Sequence, residues 1–213
     1  MGREFLDVFS GWAENYDSFV QGQDAEYKEV FRRYDEILNE IVQKSGNKVL
    51  EFGIGTGNLT KLLIDAGKSV FAIEPSPEMR LIASKKLGAS TTIHDGDLID
   101  FPLPSEEIDT IVSSYVFHHL TDDEKFEAIK KYHALLQSGG KIIFADTMFL
   151  SEKEFNDEIE KAEKNNFIDL RDDLKREYYP LIPVIRSHFE KNGFSIAFQQ
   201  YNDFVWVIEA TKL

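Results

Sequence analysis

The stretch VLEFGIGTG, residues 49–57, is the most informative part of this chain. Its first four residues are typical of a buried strand, glycine then stands at every second position from Gly53 to Gly57, and the following NLTKLL is typical of a helix. Glycine tolerates positive φ angles and lets a flat ligand come close to the main chain. The stretch therefore predicts a strand, a tight turn and a helix, with a ligand held against the turn.

A carboxylate beside this turn narrows the choice of ligand. Glu51 stands two residues before Gly53, where a loop that binds pyrophosphate through positive backbone dipoles has little use for a negative charge. The NAD fingerprint Gly-x-Gly-x-x-Gly also requires glycine at position 58, and Asn58 stands there. A carboxylate does suit a ligand with a cationic amino group, so the turn favours S-adenosylmethionine over a dinucleotide.

The bulk composition indicates one globular domain of 213 residues, with 42% apolar and 29% charged side chains. A formal net charge of −14 disfavours a nucleic-acid partner, because binding depends on basic side chains that neutralise phosphates, and Lys85 and Lys86 are expected on the solvated face of a helix. The chain has no cysteine, no apolar run near the roughly 20 residues of a membrane helix and no signal-peptide pattern. We therefore expect a cytoplasmic protein that acts on a small molecule and has no membrane partner. The sequence leaves the oligomeric state open.

Hydrophobic spacing predicts strands that alternate with helices through the middle of the chain. The predicted strands span 49–52, 69–73, 91–94, 110–114 and 141–145, and the predicted helices span 59–66, 122–136 and a segment that begins at Pro77. Ser76 before this proline and the capping box that begins at Thr121 are typical starts of helices. Such alternation is typical of a parallel sheet that is covered by helices on both faces.

The two ends of the chain show other patterns. Apolar residues recur at helical spacing over 5–16 and 24–44 before the first strand, and over 151–176 and 180–191 after the fifth. Strand-like runs at 194–200 and 204–211 follow, joined by the short turn 201–203. Strands joined so closely form a hairpin, so at least one terminal strand is expected to be antiparallel.

The first motif, the alternating middle and the terminal hairpin together resemble the class I S-adenosylmethionine-dependent methyltransferases, and most closely the YrrT-type uncharacterised methyltransferases of Gram-positive bacteria. The resemblance implies an α/β, Rossmann-like fold with a seven-stranded, mostly parallel sheet of order 3-2-1-4-5-7-6, one antiparallel strand and helices on both faces. It also divides the single domain into an N-terminal helical lid (1–45), a cofactor-binding core (46–147), a helical insertion or cap (148–192) and a C-terminal hairpin (193–213).

The resemblance assigns ten residues to the cofactor: Glu51, Gly53, Gly55, Gly57, Glu74, Pro75, Met79, Asp97, Leu98 and Ser114. Glu74 would hold the ribose hydroxyls and Asp97 would accept from the adenine amine. Pro75 departs mildly from the family pattern, since it stiffens the turn but leaves the Glu74 carboxylate unblocked. The alternatives are that Glu74 is an ordinary exposed strand end and that Asp97 caps its own turn.

Tyr16 and His118 are the candidate catalytic residues. Histidine titrates near neutral pH, so His118 or its neighbour His119 suits a general base, and the alternative is that one of them caps the following loop. Tyr16 and Tyr115 either face the substrate, with an aromatic ring against the sulfonium, or belong to the core. We expect no metal site, because adjacent side chains rarely converge and the five histidines include no i, i+4 pair.

The expected reaction is an in-line attack by a small-molecule acceptor on the methyl group of S-adenosylmethionine, which releases S-adenosylhomocysteine. Because the sulfonium is already a strong electrophile, the protein mainly supplies alignment, and a base is needed only when the nucleophile arrives protonated. Two alternatives stay open, a non-catalytic sensor that binds S-adenosylmethionine or its product, and a NAD(P)-dependent oxidoreductase. No motif identifies the acceptor.

Overall fold

The glycine turn of residues 49–57 lies at one edge of a seven-stranded sheet in the computed structural model, which describes residues 16–88 and 91–213. The strands are β1 (Lys48–Phe52), β2 (Ser69–Ile73), β3 (Ile93–His94), β4 (Thr110–Ser114), β5 (Lys141–Thr147), β6 (Phe194–Gln200) and β7 (Val205–Lys212). The helices are α1 (Tyr34–Lys44), α2 (Asn58–Asp65), α3 (Pro77–Leu87), α4 (Asp122–Leu135), α5 (Glu152–Lys164), α6 (Ile168–Arg176) and α7 (Ile182–Lys191). A short helix, Tyr16–Ser18, runs into a π-helical turn, Phe19–Gln23, ahead of α1.

The strand order is β3-β2-β1-β4-β5-β7-β6. Strands β1 to β5 pair in parallel with one another, whereas β7 is antiparallel to both β5 and β6. Strand β7 is therefore the one strand that runs against the others within the described residues. This confirms the predicted fold class, the strand order and the single antiparallel strand.

The sheet register brings the ends of β1, β2 and β4 together. Phe52 pairs with Ile73 on one side and with Ser113 on the other, so the next residues along each strand lie side by side. In open α/β sheets, ligands bind at this carboxyl edge, where the strand order reverses. The reversal falls between β1 and β4, which places the glycine turn at the middle of the edge.

Helices cover both faces of the sheet, as the near-continuous apolar strands require. Leu50 and Phe52 of β1 pack into a core with α4 and α7, represented by Ile129 and Ile185. Val49, one residue out of phase, packs into the core on the opposite face together with residues of α1 and α2. Because both faces are buried, the strand ends are held rigidly.

The helix predicted over 24–44 is wrong in its first half, since residues 24–33 form consecutive turns and α1 begins only at Tyr34. Arg33 has a φ of 68°, a left-handed conformation that a right-handed helix does not accept. Asn202, in the hairpin turn, donates to the carbonyls of Val30 and Arg32, which a continuous helix would have used for its own backbone. A distant side chain therefore determines where α1 begins.

Smaller differences concern the ends of elements and the cap. Strand β3 is shorter than predicted, and the helical stretch 151–176 is two helices that break near Asn166, whose φ is 56°. The amphipathic prediction for 5–16 lies outside the described residues, apart from Tyr16. None of the helices in the described ranges is both long and apolar enough to cross a membrane.

Candidate active site

A cavity with an empty volume of about 820 Å³ lies at the carboxyl edge of the sheet, and we call it the first cavity. It is walled by the loops that follow β1, β2, β3 and β4, and by the N-terminal helical turn. Its lining consists of Tyr16, Tyr34, Gly53, Ile54, Gly55, Asn58, Leu59, Glu74, Pro75, Met79, Asp97, Leu98, Ser114, Tyr115, Val116 and His119. A mostly apolar cavity with a few polar groups is typical of a small-molecule site.

Most of the residues predicted from the sequence meet in this cavity. Those that line it are Tyr16, Gly53, Gly55, Glu74, Pro75, Met79, Asp97, Leu98 and Ser114. Glu51, Gly57 and His118 are not among its lining residues. The cavity is also lined by Tyr34, Asn58 and Val116, which were not predicted from the sequence. These residue types do not indicate a particular chemistry, and their positions depend on the packing of neighbouring segments.

The glycine turn needs its glycines for two different reasons. Gly53 has a φ of +63°, and a Cβ on it would lie 2.5 Å from Cγ2 of Val116. Gly57 has a φ of +86° and packs against Leu87 of α3, so it serves the contact between helices rather than the cavity. Gly55, with a φ of +56°, leaves its main chain open beside Tyr16.

Glu74 is buried at the end of β2, so the alternative of an ordinary exposed strand end is wrong. Its Oε2 accepts from the amide of Gly55 at 2.8 Å and its Oε1 accepts from the amide of Ser76 at 2.8 Å. Burial raises the pKa of Glu74 to about 7 even though these two hydrogen bonds oppose the shift. The carboxyl group thus links the glycine turn to the start of α3.

Glu51 lies deeper, beneath the turn, and is 1% exposed. Its Oε2 has no hydrogen-bond partner among the described residues. Burial raises the pKa of Glu51 to about 8, hydrogen bonding from Thr60 opposes the shift, and the carboxyl of Glu74 adds to it. A buried polar atom without a partner costs roughly 1–3 kcal/mol, so this oxygen is a position where a ligand donor would be stabilising.

Asp97 caps its own turn, and its role toward adenine stays a prediction. Its Oδ1 accepts from the amides of Ile99 and Asp100, each at 2.8 Å, so the residue does cap its own turn. It also lines the first cavity, next to Leu98. A turn held in this way presents a fixed carboxylate edge.

A polar network ties the N-terminal helical turn to the glycine turn. Asp17 accepts from Thr56 Oγ1 at 2.6 Å and from Asn58 Nδ2 at 3.1 Å, and Lys86 Nζ donates to its Oδ2 at 2.8 Å. Although burial opposes it, the hydrogen bonds from Lys86 and Thr56 lower the pKa of Asp17. We call these four residues the lid latch. Sequence reasoning missed it, because Lys86 was expected on a solvated helix face.

A second cavity lies behind Tyr115 and His119, and shares Tyr16, Tyr115 and His119 with the first. Its remaining walls come from the N-terminal segment, the end of β5 and the cap: Phe19, Tyr27, Val30, Phe31, His118, Thr147, Asp173, Arg176, Glu177 and Tyr179. The rings of Phe19 and Phe31 are 5.3 Å apart, and those of Phe31 and Tyr115 are 5.0 Å apart. The second cavity is therefore largely aromatic, with charged groups at one end.

His118 stands between two carboxylates at that end. Its Nδ1 lies 2.6 Å from Oδ1 of Asp146 and its Nε2 lies 3.3 Å from Oε2 of Glu177. Burial opposes protonation, but Asp146 and Glu177 together raise the pKa of His118 to about 10. With both ring nitrogens engaged, His118 is held in place and is poorly arranged to take a proton from a substrate.

His119 is the histidine that lies on the wall between the two cavities. Burial lowers the pKa of His119 to about 3, and the charge of His118 adds to the shift. The donor atoms of His118, His119 and Glu177 lie within 4.8 Å of one another, so adjacent histidines do come together here with a third group from the cap. The sequence could not reveal this meeting, since Glu177 carries no motif.

Comparisons with known proteins find similarity to methyltransferases. The sequence profile described as a methyltransferase domain matches residues 50–144. An uncharacterized methyltransferase of Anoxybacillus flavithermus is 56% identical to this chain over 212 residues, which span 100% of both proteins. One of Geobacillus thermodenitrificans is 57% identical over 212 residues, which span 100% of this chain and 99% of the relative.

Two solved structures share the fold at lower identity. Magnesium protoporphyrin IX methyltransferase from Synechocystis, with bound S-adenosylhomocysteine, superposes with a TM-score of 0.72 at 19% identity, over 99% of this chain and 98% of that chain. The DhpI complex with the same product superposes with a TM-score of 0.68 at 17% identity, over 100% and 97% of the two chains. At such identities the likeness concerns the fold.

Proposed function

This chain belongs to the methyltransferase family of these bacterial relatives, and from that premise we propose that it transfers the methyl group of S-adenosylmethionine to a small-molecule acceptor. One observation carries the proposal: two buried carboxyl groups, Glu51 and Glu74, flank the glycine turn at the carboxyl edge of the sheet. That pairing suits a ligand with a ribose near Glu74 and a cationic amino group near Glu51, and this amino group is the part that a dinucleotide does not offer.

The residues at the first cavity fit S-adenosylmethionine part by part. Each oxygen of Glu74 accepts from one backbone amide, and a carboxylate oxygen has capacity for a further donor such as a ribose hydroxyl. The unpartnered Oε2 of Glu51 would receive a donor from the methionine part. Asp97 and Leu98 would meet the adenine, with Met79 packed nearby.

The chain's contribution to the reaction is alignment and the exclusion of water. S-adenosylmethionine, when bound, supplies an electrophilic methyl group. Tyr16 and Tyr115 line both cavities, so their rings suit contact with a sulfonium. Holding a donor and an acceptor in line contributes up to about 7–11 kcal/mol. The lid latch would keep the N-terminal turn closed over the reactants.

The acceptor would enter the second cavity, whose aromatic walls and limited space favour a small molecule. His119, on the wall between the cavities, is the histidine placed to contact the acceptor, and Tyr16 is the other candidate. His118, which the sequence favoured, is held by Asp146 and Glu177 and would serve to position the wall. We propose these roles for His119, Tyr16 and His118 from the positions of their side chains in the two cavities.

Exchange of Glu74 for Gln tests the proposal at the cofactor. We expect calorimetry to show binding of S-adenosylhomocysteine by the native protein and affinity lower by about tenfold or more in Glu74→Gln, because hydrogen bonds to a charged group contribute about 1.5–3 kcal/mol. Glu106→Gln is the matched control, since Glu106 pairs with Lys48 on the surface. Equal affinities in the two variants, or binding of NAD instead, would contradict the proposal.

A further inference from the structure

We propose that His118, His119 and Glu177 form a binding site for a divalent metal ion in the wall of the second cavity, and that the ion is zinc. All three side chains line this cavity, and their donor atoms lie within 4.8 Å of one another. They come from two distant parts of the chain, the turn Phe117–His119 after β4 and the residue that follows α6. The fold therefore assembles the site from segments that are unrelated in sequence.

The spacing of two of the donors already matches a filled site. His118 Nε2 lies 3.3 Å from Glu177 Oε2. Two ligands of a tetrahedral zinc ion, each about 2.0–2.2 Å from the metal, stand about 3.4 Å apart. The third donor, on His119, is within 4.8 Å of both, so a small movement of its ring would bring it to the ion.

Hydrogen bonds behind the donors orient them as in known metal sites. Asp146 Oδ1 lies 2.6 Å from His118 Nδ1, which leaves Nε2 directed toward Glu177. Tyr179 donates its hydroxyl to Glu177 Oε2 at 2.6 Å, and its ring stacks on that of His118. A carboxylate behind a ligating histidine and a hydrogen bond to a ligating carboxylate are regular features of such sites.

The charge balance also favours a divalent cation. Asp146 and Glu177 are two buried carboxylates that share the imidazole of His118. Arg176 is less closely engaged, because its guanidinium lies 3.8 Å from Glu177 Oε1 and its side chain is 45% exposed. A divalent ion held between His118 and Glu177 would offset the charges of these two carboxylates, with His118 still bonded to Asp146 through Nδ1.

The donor set points to zinc with an open position. Imidazole and carboxylate together suit zinc, and three protein ligands leave a fourth position for water or substrate. That position would face the second cavity, beside the wall shared with the first. If the proposed function holds, an acceptor thiol or hydroxyl bound there would release its proton to solvent and present an anion to the methyl group.

Cobalt substitution tests the site without any need for activity. We expect the metal-free protein to bind one equivalent of Co²⁺ and to show the visible absorption bands of a Co²⁺ ion with few ligands. Added Zn²⁺ should displace the Co²⁺ and abolish these bands. Glu177→Gln and His119→Gln should lose the bands, while Tyr179→Phe should lower the affinity for Zn²⁺ by about 10–100-fold. Glu163→Gln and His133→Gln, a carboxylate and a histidine from elsewhere in the chain, are controls and should behave as the native protein.

Two results would overturn the proposal. One is the absence of cobalt bands in the native protein, and the other is equal Co²⁺ binding by the native protein and a folded Glu177→Gln. Titration of S-adenosylhomocysteine on the same samples separates this proposal from the proposed function. A protein that binds this nucleoside but no cobalt loses only the metal site, whereas one that binds cobalt but not the nucleoside loses only the methyl-donor site.

Discussion

Burial of Glu51 disfavours the ionised form of its carboxyl group. It lies beneath the glycine turn with one oxygen lacking a partner in the described part of the chain. Burial raises the pKa of Glu51 from 4.5 to about 8, so the group is mostly protonated near neutral pH until a cationic ligand arrives. A ligand with an ammonium group would therefore bind together with the loss of a proton.

The pH dependence of the stability of a Glu51→Gln variant tests the raised pKa of Glu51. The folded pKa lies above the unfolded value, so the contribution of the neutral carboxyl is complete below pH 4.5 and is lost as the pH rises through 8. Native protein without ligand should show a falling melting temperature between pH 6 and pH 9, and Glu51→Gln should show a smaller fall. Melting curves at both pH values measure this, and parallel curves for the two proteins would refute it.

At the scale of elements, the lid latch connects the N-terminal helical turn to α2 and α3. Its central ion pair, between Asp17 and Lys86, is partly buried, with side-chain exposures of 47% and 22%. Two further donors, Thr56 and Asn58, converge on the same carboxylate. Partly buried, multiply hydrogen-bonded pairs stabilise more than the isolated surface pairs that contribute about 0–1 kcal/mol.

Asp17→Asn should loosen this closure. We expect S-adenosylhomocysteine to dissociate several-fold faster from the variant in stopped-flow experiments, while the melting temperature falls by only about 2–4 °C for each kcal/mol lost. Asp65→Asn removes the exposed pair with Lys61 on α2 and is the matched control. If both variants release the nucleoside at the native rate, the latch does not control the lid.

A second contact between elements joins the cap to the core. The fully buried Lys125 of α4 donates to the carbonyls of Leu120 and Tyr178, which follow His119 and Glu177 directly in the chain. Burial lowers the pKa of Lys125 to about 8, while Asp122 opposes the shift. The ammonium group thus supports the loops that carry His119 and Glu177.

Lys125→Met should be destabilising, because it leaves the buried carbonyl of Leu120 and the partly buried carbonyl of Tyr178 without this donor. A loss of about 2–4 kcal/mol is expected at roughly 1–3 kcal/mol per unsatisfied group, which corresponds to a melting temperature lower by about 5–15 °C. Lys130→Met on the exposed face of the same helix is the control. Calorimetric melting measures both, and equal melting temperatures would show that the two carbonyls find other donors.

The sequence predicted the helices and strands whose formation depends on residues close to them in the chain. The bounds of β2 and β4 agree with the predicted 69–73 and 110–114, because apolar runs between turn residues suffice to define them. The start of α3 also agrees, since Ser76 accepts from the amide of Met79 as an N-cap. The glycine turn and Glu74 were found for the same reason.

The features that the sequence did not predict depend on contacts between distant segments. Asn202 donates to the carbonyls of Val30 and Arg32, which stabilises the non-helical chain just ahead of α1. The difference between His118 and His119 arises from Asp146 and Glu177, neither of which stands near them in the chain. Such placements follow from tertiary structure, which no local pattern encodes.

The shared wall of the two cavities has a consequence for turnover. Tyr16 borders both cavities and is joined directly to Asp17 of the lid latch, so a movement of this turn would change both cavities at once. Under the proposed function, the spent nucleoside and the methylated product would then leave through one opening. An acceptor with two sites for methylation would be expected to leave after the first transfer and return for the second, and the ratio of singly to doubly methylated product early in the reaction measures this.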